Sequence, residues 1–227
     1  MNISIIIFCH NETDNIDAVI QSTQQTAKLI SNDYEIIVVD DGSTDGTGDK
    51  IKKYDNIRCV LHPVNAGIGM AIRSGYEAAT KEFVCAIPGD GQFDVNELTQ
   101  VPVFSIHTFY SFYRPKTGYN IYRRFLTISN RVYNQWLLGI KLKDVNWIKV
   151  YRKDQLNFVE FKLKSSIVES EICAKLIKAG CKPVELPSVY HPRQSGESKG
   201  GKWKTLSKTL YEMKDLYLAV NKFRKKL

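Results

Sequence analysis

Short apolar runs alternate with longer amphipathic stretches through the first part of the chain. Ile3 to Cys9 is an uninterrupted apolar run suited to a central strand. Residues 13–30 place Ile16, Val19, Ile20, Ala27 and Ile30 at helical spacing, with Thr13 or Asp14 to cap the start. Tyr34 to Val39 predicts a second strand, and Thr44 or Asp45 the cap of a helix running through Tyr54. Ile57 to Leu61 predicts a third strand, residues 67–80 another helix, and Phe83 to Ile87 a fourth strand. This βαβαβαβ series predicts an α/β fold: a mainly parallel, doubly wound sheet with helices on both faces.

Beyond Asp94 the pattern is less regular. A short helix over 94–100 leads to an apolar aromatic strand from Val101 to Phe112. Residues 119–139 read as a helix carrying Tyr122, Arg123, Arg124, Arg131, Tyr133 and Trp136. Val145 to Tyr151 predicts a strand, Ser165 to Ala179 an amphipathic helix ended by Gly180, and Lys182 to Tyr190 a strand broken by two prolines. A polar Gly-rich loop, Pro192 to Gly201, precedes a tail over 202–227. In that tail Trp203, Leu206, Leu210, Met213, Leu216, Tyr217, Val220, Phe223 and Leu227 recur at helical spacing among lysines and arginines. The tail either covers the core or lies on acidic lipid, with Trp203, Tyr217 and Phe223 inserted; the basic ending favours the lipid surface.

The composition is that of an ordinary globular protein: 227 residues, 43% hydrophobic and 25% charged. The length suits one domain with an appendage. A formal net charge of +8 adds an anionic partner, and the cations crowd late in the chain. Cys9, Cys59, Cys85, Cys173 and Cys181 are scattered, without CxxC or zinc-like spacing, and read as reduced buried thiols. No leader pattern opens the sequence and no apolar run approaches the ~20 residues of a membrane span. The expectation is a cytoplasmic protein, peripheral on the cytoplasmic face of a membrane if its acceptor is a lipid.

The chemistry gathers at strand ends. The second strand ends in Asp40-Asp41-Gly42-Ser43 and the fourth in Pro88-Gly89-Asp90-Gly91-Gln92. Ligands of open α/β sheets bind outside the carboxyl ends of the strands. Adjacent carboxylates repel one another unless a cation or hydroxyl donors face them. Oxygen donors two residues apart, Asp90 and Gln92, suit Mg²⁺ or Mn²⁺, which keep waters and phosphate oxygens as their other ligands. Asn65, Gly67 and Gly69, with Arg73, open the third helix, where an N-terminus favours phosphate or simply packs close to the sheet. Arg193 and Lys199 flank the Gly-Ser loop as cations able to close over phosphate, and Arg114 and Arg131 share segments with aromatics. There is no P-loop and no GxGxxG. A nucleotidyltransferase wants a Gly-rich loop after the first strand, where His10-Asn11-Glu12-Thr13 stands instead, and a nucleic-acid binder does not explain paired acidic strand ends.

Together these residues resemble the GT-A glycosyltransferases of family 2, nearest the dolichyl- or polyprenyl-phosphate sugar transferases. Val39-Asp40-Asp41-Gly42-Ser43-Thr44-Asp45-Gly46-Thr47 is similar to that family's first nucleotide-binding motif, and Asn11-Glu12 to its Asn-Glu. Asn65-Ala66-Gly67-Ile68-Gly69 is similar to the segment before the third helix. Lys143-Asp144-Val145, Glu185-Leu186-Pro187 and Arg193-Gln194-Ser195-Gly196-Glu197-Ser198-Lys199 resemble elements of its acceptor half. The chain departs where the family often has Asp-Gly-Asp-Gly-Gln, because Pro88 replaces the first Asp, and its segment from Asp94 to Arg114 is short.

The resemblance implies a GT-A domain over 1–201, with a nucleotide-sugar half (1–94) and an acceptor half (95–201), followed by the basic helix. It implies a UDP- or GDP-linked sugar donor, Mg²⁺ or Mn²⁺ at Asp90 and Gln92, and an inverting single displacement. The donor would contact Asn11, Glu12, Asp40, Asp41, Ser43, Asn65, Gly67, Gly69, Arg73 and Asp90. A polyprenyl or dolichyl phosphate acceptor is already ionised near pH 7 and needs cations rather than a base, which suits Arg114, Arg131, Arg193 and Lys199. A saccharide hydroxyl acceptor would instead need a carboxylate base, for which Glu169, Glu171 and Asp144 are the candidates. A non-catalytic nucleotide-sugar-binding protein is the remaining alternative.

Overall fold

The computed structural model describes the chain apart from residues 103–106, 116–120, 160–162, 164, 166, 193–202 and 225–227, and describes backbone alone at 121–127, 129, 130 and 203–211. Four strands form the first part of the sheet: β1 (Ile3–Cys9), β2 (Tyr34–Asp40), β3 (Arg58–Leu61) and β4 (Phe83–Pro88). The crossovers are α1 (Ile16–Ile30), α2 (Thr47–Ile51) and α3 (Ile68–Ala78). A 3-10 helix (Val95–Gln100) leads into β5 (Thr108–Tyr113), α4 (Ile121–Leu138), β6 (Lys149–Arg152), α5 (Lys153–Asn157), α6 (Val168–Lys178), β7 (Lys182–Pro187) and α7 (Trp203–Lys222).

The seven strands make one sheet in the order β3-β2-β1-β4-β6-β5-β7. All described pairings are parallel except those of β6, which runs against both β4 and β5. The doubly wound, mainly parallel sheet expected from the sequence is therefore present. The carboxyl ends of six strands and the amino end of β6 share one edge. Register keeps three of those ends level, with Cys9 opposite Asp40 and Phe8 opposite Pro88.

Strand side chains alternate between two cores, as the pleat requires. Ile3, Ile5 and Ile7 of β1, with Ile36 and Val38 of β2, pack with α1 and the 3-10 helix. Ile6, Ile37, Val39 and Val84 face the other way, onto α3, α6 and the end of α7. Gly75 lets α3 approach β1: a Cβ there would lie 2.3 Å from Ile6 Cγ2. Cys9, Cys85 and Cys173 are buried, and all five cysteines are free thiols.

Several boundaries differ from the periodic reading. Asn15, not Thr13 or Asp14, precedes α1, and its side chain donates to Glu12 Oε2 at 2.8 Å. Asp45 does act at the start of α2, where Oδ1 accepts the Thr47 N–H at 3.0 Å. The apolar run 145–151 turns into strand only at Lys149, because the segment before it folds as the mouth of the site. α5 has no apolar period and was not foreseen. The tail is helical, and its last turns lie on the domain: Leu216, Ala219 and Val220 are buried, Lys178 Nζ donates to Val220 O at 2.9 Å, and the Phe223 ring stands 5.7 Å from Lys175 Nζ. Phe223, expected at a lipid surface, instead faces α6.

Candidate active site

The loops leaving β1 and β2 are stitched to each other above the strand ends. Asn11 N–H donates to Ser43 Oγ at 2.8 Å and Asn11 Oδ1 accepts the Thr44 N–H at 2.8 Å. Glu12 N–H donates to Thr47 Oγ1 at 2.9 Å, and Thr13 N–H to Asp45 Oδ2 at 3.0 Å. Asn11 has φ 57°, a left-handed conformation that its short amide tolerates. Glu12 is buried, and its carbonyl accepts the N–H of Asn15 and Ile16. Burial raises the pKa of Asp45, but hydrogen bonds from Thr47 and Thr13 outweigh it and leave the carboxyl below its ordinary value.

The two adjacent aspartates have different surroundings. Asp41 Oδ1 meets His62 Nδ1 at 2.7 Å and the Ala66 N–H at 2.9 Å, while Oδ2 accepts the Gly67 N–H at 2.8 Å. It thereby ties β2 to the turn that opens α3. Asn65, Gly67 and Gly69 belong to that turn and helix start, where Gly67 (φ 96°) fits a conformation disfavoured for residues with a Cβ. Arg73 lies further along α3 and pairs with Glu77 at 2.8 Å. Asp40 accepts the Ser43 N–H at 3.1 Å and the Ser43 hydroxyl, and its carboxylate borders a cleft of about 290 Å³. Ser43, Gly48, Lys52, Leu61 and His62 line the same cleft. The sequence reading missed Gly48, Lys52 and His62; the available signal was that His62 directly follows the third strand.

Asp90 stands past β4 in a tight turn. Oδ1 accepts the Gln92 N–H at 3.0 Å. Burial raises its pKa against those backbone hydrogen bonds, and among the described residues no lysine or arginine pairs with it. A desolvated carboxylate with no cation from the described residues fits a divalent ion, and Gln92, two residues on, whose Nε2 donates to Tyr190 Oη at 2.7 Å, carries an amide oxygen of the kind such an ion takes.

The opposite wall comes from the edges of β5, β6 and β7. Arg114 Nε donates to Asp144 Oδ2 at 2.7 Å, and its guanidinium lies 4.1 Å from the Trp147 ring centroid and 5.9 Å from that of Tyr190. Trp147 Nε1 donates to Ser188 Oγ at 2.8 Å, and Lys143 N–H to Glu185 Oε1 at 2.7 Å. Buried Lys149 holds the loop beneath, with Nζ donating to Asp144 O at 3.1 Å and Trp147 O at 2.9 Å. Tyr190 links this wall to the Asp90 turn, since Gln92 reaches it by hydrogen bond and Phe93 by a β-bridge, and Phe93 also meets the Trp147 ring. Trp147, Ser188 and Tyr190 were not picked out as site residues, since aromatics near a strand read equally as core.

The helical carboxylates lie elsewhere. Glu169 is buried beneath the sheet, accepting the hydroxyls of Tyr76 at 3.0 Å and Tyr151 at 2.6 Å, and burial raises its pKa. Glu171 pairs with Lys175 at 2.6 Å in the core and accepts the Leu163 N–H. Both are thereby corrected as base candidates, and Asp144 is engaged by Arg114. Arg131 is exposed on α4. Arg193 and Lys199 lie outside the described residues, and so does the Gly-Ser loop that carries them.

Residues 4–152 match the family model described as Glycosyl transferase family 2. An uncharacterized glycosyltransferase of Mycobacterium tuberculosis is 26% identical over 204 residues, spanning 87% of this chain and 88% of that protein. The undecaprenyl-phosphate 4-deoxy-4-formamido-L-arabinose transferase of Yersinia enterocolitica is 30% identical over 104 residues, which are 44% of this chain and 32% of that protein. Among solved structures, glucosyl-3-phosphoglycerate synthase from Mycobacterium tuberculosis with Mg²⁺ and UDP aligns at TM-score 0.71 and 15% identity, covering 99% of this chain and 81% of that one. Its complex with Mn²⁺, UDP-glucose and phosphoglyceric acid aligns at TM-score 0.69 and 18% identity with the same coverage. The likeness shows the shared fold, and the GT-A architecture expected from the sequence is borne out.

Proposed function

We propose that this chain, which belongs to glycosyl transferase family 2, moves a sugar from a nucleoside-diphosphate sugar to a phosphate-bearing lipid acceptor, a polyprenyl monophosphate. In this reading the nucleoside lies in the cleft beside Asp40 and the diphosphate crosses toward Asp90. Asp90 and Gln92 hold Mg²⁺ or Mn²⁺, the ions named for the synthase of the same fold. Bound there, the ion supplies positive charge for the leaving diphosphate. Asp40 orients the base or ribose by accepting hydrogen bonds, and Asp41 keeps the cleft in shape through His62, Ala66 and Gly67.

The observation that carries the acceptor class is the make-up of the far wall. Arg114 is set by Asp144 and the Trp147 ring into a fixed cationic group, while Glu169 and Glu171 are buried in hydrogen bonds away from it. A phosphate oxygen is ionised near neutral pH and attacks the anomeric carbon without a base, whereas a sugar hydroxyl needs one. The partial match to an undecaprenyl-phosphate sugar transferase favours a lipid as the carrier of that phosphate.

The test is nucleotide release from UDP- and GDP-sugars with Mn²⁺, with and without a short-chain polyprenyl phosphate, in wild type and Asp90→Ala. Release that depends on the lipid phosphate and is lost in the variant is expected. Phosphoglyceric acid, present in a complex of the neighbouring synthase, is the second acceptor to assay. Release with that acid alone, which offers a hydroxyl as well as a phosphate, would overturn the lipid acceptor and the base-free attack with it.

A further inference from the structure

α4 turns an apolar stripe to solvent. Ile128, Val132 and Trp136 recur every four residues, so they share one helix face, and they are 60%, 49% and 80% exposed. An amphipathic helix of a globular domain normally buries that stripe. The helix does bury something: Asn134 and Leu138 lie on its inner side, and Tyr133 donates its hydroxyl to Met213 O of α7. The exposed stripe is thus a second apolar face, ending in the exposed Trp136.

Charge decides what covers it. Residues 121–138 contain three arginines and no aspartate or glutamate, and Arg131 is exposed beside the stripe. The neighbouring α7 carries Lys204, Lys208, Lys214 and Lys222 against Glu212 and Asp215, and the chain as a whole has net charge +8. A second copy docking through this stripe would bring arginine against arginine. An anionic bilayer supplies the opposite charge, accepts the apolar residues into its interfacial zone and accommodates an indole at headgroup level. The placement fits: in sequence α4 runs between Arg114 and Asp144, the two residues paired on the acceptor wall.

We propose that α4 is a membrane-contact helix, which docks the protein on an anionic lipid surface through Ile128, Val132, Trp136 and Arg131 and brings the acceptor wall down to lipid-borne phosphate. The inference rests on the lipid-phosphate reading for its purpose but not for its test. This role was expected of the tail, yet the last turns of α7 pack on α6, while the α4 stripe is uncovered by the described residues.

The full chain is sedimented with vesicles of phosphatidylcholine alone and of phosphatidylcholine with phosphatidylglycerol. Binding to the anionic vesicles only, weakened by salt, is expected. An Ile128→Asp/Trp136→Asp variant is expected to bind them at least about tenfold more weakly. Because both residues are exposed, its melting temperature and its affinity for nucleotide sugar should be unchanged, and so should transfer to a short, water-soluble polyprenyl phosphate. Equal vesicle binding by variant and wild type would overturn the proposal, as would no vesicle binding by wild type. A concentration-dependent dimer abolished by the variant would also overturn it, assigning the stripe to a second copy. Vesicle binding without any transfer to polyprenyl phosphates would overturn the acceptor reading and leave the membrane-contact helix standing.

Discussion

Asp40 and Gly48 occupy complementary space: a Cβ added at Gly48 would stand 2.8 Å from Asp40 Oδ2. The carboxylate leans over the first turn of α2 because the glycine leaves room for it. A methyl group there pushes a side chain rather than backbone, so the fold should tolerate it. Gly48→Ala is expected to weaken nucleotide-sugar binding by about tenfold, the loss of roughly one hydrogen bond to a charged group, with a nearly unchanged melting temperature. Isothermal titration with UDP-sugars and a thermal melt check both halves.

Asp41 should behave in the opposite way. Its carboxylate satisfies two backbone N–H groups and His62, all part-buried. Asp41→Ala leaves those donors without a partner and is expected to cost about 2–3 kcal/mol of stability. Urea denaturation measures it. Asp40→Ala, by contrast, should affect donor binding far more than stability.

Lys149 is a positioning residue for the Arg114 wall, where the proposed function puts the acceptor. Its ammonium, with the residue only 1% exposed, ties down the carbonyls of Asp144 and Trp147. Lys149→Met keeps the volume and removes the donors, freeing the loop that aims Arg114. The expected outcome is an acceptor KM raised about tenfold, with the donor KM unchanged. A parallel rise in both would mean general damage instead.

Glu169 gives a pH dependence with a definite sign. Burial raises its pKa above the ordinary 4.5, against the opposing pull of Lys149 and two tyrosine hydroxyls. The native state therefore holds this proton more tightly than the unfolded chain. The contribution of the group is complete below about pH 4.5 and is lost as pH rises through the elevated native value. Glu169→Gln keeps an acceptor for the tyrosines and removes the titration. The stability difference, variant minus wild type, should grow more favourable to the variant as pH rises from 4 to 7, by urea denaturation at each pH. A flat difference would show that Glu169 titrates normally.

The first four strands and their ends were legible because their signals are local. Ile3–Cys9 and Tyr34–Asp40 are apolar runs long enough to be buried on both faces, and their polar ends fall at the strand ends by necessity. The division of labour between Asp40 and Asp41 was not legible, since it depends on where the turn before α3 arrives, twenty-five residues further on at Ala66. Glu169 and Glu171 looked like bases because a carboxylate in sequence carries no mark of burial; Tyr76 and Tyr151 reach Glu169 from elsewhere in the chain, and Lys175 pairs with Glu171 one helical turn on. The start of β6 was misplaced for a related reason. Val145, Trp147 and Ile148 are buried, and Trp147 packs against Arg114 and Tyr190, so the segment imitates a strand in sequence. The helix of α4 was read from the sequence, but the apolar stripe of Ile128, Val132 and Trp136 and its outward direction came from the packed helix.

The reversal of β6 also bears on how such a protein could be re-engineered. Because β6 runs backwards, the segment entering it, rather than one leaving it, lies beside the ends of β5 and β7. The Arg114–Asp144, Arg114–Trp147, Trp147–Ser188, Lys143–Glu185 and Lys149 contacts are consequently drawn from one continuous stretch of chain, 108–190. Such contiguity makes exchange by a single splice feasible. A chimaera joined at the 3-10 helix could keep the Asp40 cleft and inherit a different Arg114 wall, with the Gln92–Tyr190 and Val189–Glu97 hydrogen bonds and the Phe93–Tyr190 bridge as the seam that the graft must preserve.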